Sequence, residues 1–181
     1  GSAINFETTV TGDNSALTLE GATLFKGQVA SLGALGITGN LDLQAALAAA
    51  SLNVSGTSAL AGNVTTSGTQ TYQGAVTLSG ARHLSGSTLT FNETLTGDTT
   101  SALNVTGNTT LTQLASNLGE VTLTGQLDLQ ANMTAKALTV TGISSLKANV
   151  TTTQAQTYQG AVTLVGDRTL KGSAINFETT V

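Results

Sequence analysis

The sequence predicts an all-β chain wound as a right-handed parallel β-helix, a β-solenoid of about ten coils. Three observations carry this: a long internal repeat, short alternating segments that each run into a glycine, and a composition rich in threonine and poor in charge. Of 181 residues, 35 are Thr, 15 Ser and 21 Gly, while charged residues make up 9% and Pro and Cys are absent. Threonine and valine suit a pleated, half-buried surface. The lack of proline fits a backbone whose N–H groups are engaged in ladders. A hydrophobic share of 39% supplies a core of small and branched side chains, so the chain does not have the composition of a disordered one.

The repeat comes first because it decides the architecture. The decapeptide GSAINFETTV occupies 1–10 and returns unchanged at 172–181, an offset of 171. Half that distance gives a second match. Residues 63–86 read NVTTSGTQTYQGAVTLSGARHLSG and 149–172 read NVTTTQAQTYQGAVTLVGDRTLKG, identical at 17 of 24 positions with an offset of 86. The same offset aligns LDLQA at 41–45 with 127–131; a one-residue slip near Asn14 shortens it to 85 at the start. The chain therefore divides into units at 1–86 and 87–172 with the start of a third at 173–181, one continuous rod. Identical decapeptides imply a segment of a periodic polymer.

Within each unit a smaller theme recurs: apolar, polar, apolar, then glycine. Its copies centre on Thr18, Gly36, Asn53, Thr77 and Thr90 in the first unit. In the second they centre on Asn104, Thr122, Thr139, Thr163 and Asn176. Alternation with period two is a strand signature. Five themes per 86 residues average roughly 17 residues per coil and predict an outward column of Thr, Asn and Gly. The spacing is uneven between 52 and 76 and between 138 and 162, where the register stays open because Gln70-Thr71-Tyr72 reads equally well as a strand. A three-residue strand is unstable alone; stacking coils at about 4.8 Å pairs every backbone and joins the inward side chains into one core. Parallel crossovers are overwhelmingly right-handed, which sets the expected hand.

The run TQTYQGAVTLSG at 69–80, its copy ending at Gly166, and the ITGNLDLQA segment together resemble the β-strand repeats of filamentous haemagglutinin-like bacterial exoproteins. These are exported by two-partner secretion or as autotransporters. The resemblance implies an extracellular, cell-surface location and a structural role in a long adhesin-like fibre or stalk. The partners it implies are neighbouring repeats of the same protein, covalent or end to end, and a cell or abiotic surface. A self-assembling filament or matrix subunit, and a flat threonine-rich module for ice or glycan, are the competing expectations.

Residues that could do chemistry are few. The single histidine, His83, is replaced by Thr169 in the second unit, which argues for a surface loop. Asp42 and Asp128 occupy matching LDLQ segments in different units and read as solvated positions. Gly166–Ser173 ends in Lys-Gly-Ser rather than the Gly-Lys-Ser of a phosphate loop. Asp13 and Asp98 lie in TGD turns, where an aspartate caps through its own side chain. No catalytic residue, cofactor or metal ligand is expected, and the chain is not read as an enzyme. Net charge is −4 with six basic residues, which disfavours nucleic acid. No stretch approaches the 18 apolar residues of a membrane span. Seven of the 12 asparagines lie in N-x-Ser/Thr sequons. These are Asn53, Asn63, Asn92, Asn104, Asn108, Asn132 and Asn149, the candidate glycan acceptors.

Overall fold

A computed structural model describes residues 3–181. Those residues form 23 strands joined by parallel pairings into one sheet that winds on itself. No helix occurs among them. The coils follow one another at intervals of 17 to 21 residues, about 18 on average. The first face shows this in its stacked residues Ile4, Thr23, Leu41, Ser58, Val76, Leu95, Ala115, Met133, Val150 and Leu170.

Each coil carries three strand positions, more than the recurring apolar-polar-apolar theme marks. A second face stacks Val10, Val29, Leu47, Val64, Leu84, Val105, Leu123, Val140, Tyr158 and Phe177. A third stacks Leu19, Ile37, Val54, Tyr72, Phe91, Leu111, Leu129, Leu146 and Leu164. The expected outward column is thus distributed over three faces. Thr18, Gly36, Asn53, Thr90 and Thr163 belong to the third. Asn104, Thr122, Thr139 and Asn176 lie on the second, and Thr77 lies on the first. The spacing irregularity disappears with it, because Val76–Leu78 turns to the first face while Gln70–Tyr72 is a strand of the third.

Most strands are three residues long, and commonly among these the outer two side chains are buried while the middle one is exposed or half-buried, as in Leu41–Leu43 and Gln70–Tyr72. Longer strands such as Val29–Thr38 and Ala115–Thr124 bend round a corner and carry a register shift there. The core is one cluster running the length of the rod, from Leu19 and Phe25 to Tyr158 and Val162. Aromatic rings stack between coils: Phe6 on Phe25 at 4.9 Å and Tyr72 on Phe91 at 5.1 Å.

Glycine is required at one corner in particular. Gly39 has φ +143° and a Cβ there would lie 2.5 Å from the Gly21 carbonyl oxygen; Gly125 repeats this geometry against Gly107. Gly56 and Gly74 continue the first stack, and Gly142 and Gly160 the second, with backbones too close for any side chain. The four glycines form a ladder at one corner of each unit.

Candidate functional surfaces

The motif that carries the family resemblance turns alternate side chains inward. Gln70 and Tyr72 are fully inaccessible, and so are their copies Gln156 and Tyr158. The Tyr72 hydroxyl donates to Gln70 Oε1 at 3.0 Å, and Gln70 Nε2 donates to the Ser85 carbonyl at 2.7 Å and towards the Val64 carbonyl at 3.4 Å. The second unit reproduces the cluster, with Tyr158 to Gln156 at 3.0 Å and Gln156 to the Lys171 carbonyl at 2.8 Å. Ser85 precedes a register shift in Arg82–Phe91, where the ladder breaks. The glutamine amide therefore replaces the hydrogen bond that the backbone loses at this corner. Burial pushes both tyrosine hydroxyls well above their ordinary value, so they stay protonated donors. TQTYQG is an internal clamp. Sequence reasoning took it for a repeat marker. A glutamine two residues before a tyrosine, on the same side of a strand, was the signal that could have revealed it.

The seven sequon asparagines are all exposed. Asn63, Asn132 and Asn149 directly precede a strand and Asn108 lies within Leu103–Leu111, and the side-chain oxygen of each of the four accepts a backbone N–H from the next coil. The donors are His83, Gln126, Asn149 and Thr169, at 2.9 to 3.2 Å. Asn40, outside any sequon, does the same for Thr57. Asn53 and Asn104 point outward from mid-strand, and Asn53 accepts from Gln73. Asn92 follows the strand Arg82–Phe91. At Asn63, Asn108, Asn132 and Asn149 the Asn-x-Thr pattern thus arises where a corner asparagine meets a threonine of the strand segment that follows.

His83 is exposed on a strand, opposite Asn104 of the next coil. Asp42 accepts from Gln44 and Asp128 from Gln130, and Asp128 also pairs with Lys147 of the next coil at 2.8 Å. At Asp128 partial burial opposes ionisation, but the Lys147 and Gln130 hydrogen bonds and the lysine charge outweigh it and hold the carboxyl below its usual range. Asp98 accepts from the backbone N–H and hydroxyl of Ser101, both at 2.8 Å, and from the Thr100 and Gly80 N–H groups. Those bonds hold its carboxyl far below the ordinary value. They also clamp the turn at Thr99, whose φ is +67°. Asp13 accepts from Ser15 in the first unit. Among the described residues no three His, Cys, Asp or Glu side chains come together as a metal site would need.

Two kinds of shallow groove mark the outside, and each occurs twice. One is lined by Asn40, Leu41 and Asp42 and, 86 residues on, by Gln126, Leu127 and Asp128. The other lies at the bent-strand corners, by Ser31, Leu32 and Ala49 and again by Asn117, Leu118 and Ala135. Outward hydroxyls stack along the second face as Thr65, Ser85, Thr106 and Thr124, with Thr122, Thr139 and Thr157 in a parallel column beside them, and along the first face as Thr77, Thr96 and Ser116.

No protein-family model, curated protein or solved structure matches this chain.

Proposed function

We propose that this chain is a structural segment of a long extracellular fibre or stalk, of the kind bacterial surface and secreted adhesin-like proteins build, and that it performs no catalysis. The observation that carries the reading is a sequence period laid on an uninterrupted core. The unit repeats, and the interior runs through both copies without a break, as a load-bearing or spacing rod requires. The polar side chains sharpen it. Buried glutamines and corner asparagines bond backbone groups of the next coil, and Asp98 holds its own turn and the Gly80 N–H of the preceding coil. Export unfolded and refolding outside a cell suits a chain without cysteine, whose coils each need only their neighbours.

The mass of the denatured polypeptide from its native source tests this. A mass many times 18.0 kDa is expected, with the 171-residue period continuing covalently. A mass near 18 kDa would replace the stalk with discrete subunits that stack into a filament.

A further inference from the structure

The repeat in the sequence and the coil in space do not share a period. Asp42 lies on the first face in the third coil; its copy Asp128 lies on the third face in the seventh. Gln70 and Tyr72 are on the third face and their copies Gln156 and Tyr158 on the second. Val64 is on the second face and its copy Val150 on the first. Every marker moves the same way: an 86-residue step advances four coils and two faces.

Other features follow. Gly21, Gly39, Gly56 and Gly74 stack at the corner between third and first faces, and their copies Gly107, Gly125, Gly142 and Gly160 stack at the corner between second and third, where Gly86 precedes them. The residues with left-handed backbone, Asn14 and Ser31, lie between second and third faces, whereas Thr99 and Asn117 lie between first and second. The identical decapeptides agree: Ile4–Phe6 pairs along the first face and Ile175–Phe177 along the second, nine coils and one face later.

We infer that successive units present the same surface in three directions by turns, so that the rod is a three-way display rather than a one-sided one. This rests on the stalk reading above. Each unit climbs roughly 22 Å, four and two-thirds coils at about 4.8 Å, while its corner groove and its Asp42-type face turn by one third of the circumference. Three units, fourteen coils, restore the first direction. A flat partner lying along one side meets an equivalent surface only at every third unit. The turning also spreads exposed groups evenly, which keeps any one side from accumulating a repeated patch.

Because the chain has no native cysteine, spin labels can be placed in pairs on the 181-residue protein. Asn53→Cys with Ser145→Cys joins two outward positions five coils apart on the third face. Asn53→Cys with Thr139→Cys joins two positions 86 residues apart, the second of them in the same coil as Ser145 but on the second face. Pulsed electron resonance should give the shorter distance for the 53–145 pair, near 24 Å for five coils, and a longer one for 53–139. The reverse order would mean that units repeat in line and would overturn the three-way display while leaving the rod intact. Broad distributions for both pairs would remove the rod itself, and the stalk reading with it.

Discussion

The two copies of residues 63–86 differ at seven positions, and the two copies of the strands around Phe25 differ in another manner. In the first region the exchanges are Ser67 for Thr153, Gly68 for Gln154, Thr69 for Ala155, Ser79 for Val165, Ala81 for Asp167, His83 for Thr169 and Ser85 for Lys171. None of the seven is buried in the first unit. In the second region the interior itself changes: Phe25 becomes Leu111, Val29 becomes Ala115 and Leu47 becomes Met133, all buried. The difference lies in what each interior demands. Around Gln70 the core contains hydrogen bonds with fixed geometry, so an altered side chain leaves donors and acceptors without partners. Around Phe25 it demands only apolar volume, which several residue combinations satisfy.

Breaking the polar cluster should have the largest effect. Gln70→Ala leaves the Tyr72 hydroxyl and the Ser85 carbonyl unpaired and should cost about 2–4 kcal/mol in urea unfolding; an effect under about 1 kcal/mol would mean that the clamp is not what preserves this region. Phe25→Leu, a change the second unit already carries at the matching position, should cost about 1 kcal/mol, and it loses the Phe6 ring contact. Ser58 and Ser144 sharpen the contrast from the opposite side, since their buried hydroxyls have no hydrogen-bond partner. Ser58→Ala should therefore be neutral or stabilising by up to about 1 kcal/mol in the same assay.

A pH series isolates the turn at Asp98. Its folded value is depressed below the ordinary 3.8. The stability it contributes is therefore fully present above that value and is lost as pH falls below it towards the folded value. Urea midpoints between pH 5 and 2 should fall less steeply for Asp98→Asn than for the parent chain; equal slopes would remove Asp98 from the account. The smallest effect belongs to Lys136→Ala. Its pair with Glu120 is 2.8 Å long but half exposed, so the loss should be below about 0.5 kcal/mol and vanish in high salt.

The solenoid and its repeat were legible because stacking imposes them on every coil: Leu-x-Leu alternation and a glycine at the corner are local requirements. The three strand positions per coil were not. Strands such as Val64–Thr66 and Gln70–Tyr72 turn a threonine or a glutamine inward, and a pattern that counts only apolar residues passes over them. The ten themes found by alternation are real strands, but they lie on all three faces. The role of the corner asparagines was likewise hidden, because their partners are backbone groups 17 to 20 residues away.

The neighbour-only pairing of coils has a mechanical side. Backbone hydrogen bonds run along the rod, so tension applied to its two ends loads them in series and the outermost coil yields first. A coil that peels away exchanges about 4.8 Å of rod for roughly 60 Å of extended chain, at some 3.3–3.6 Å for each of its 18 or so residues. A rod pulled in this way lengthens in discrete steps under load, and each released coil finds its template waiting when the force drops.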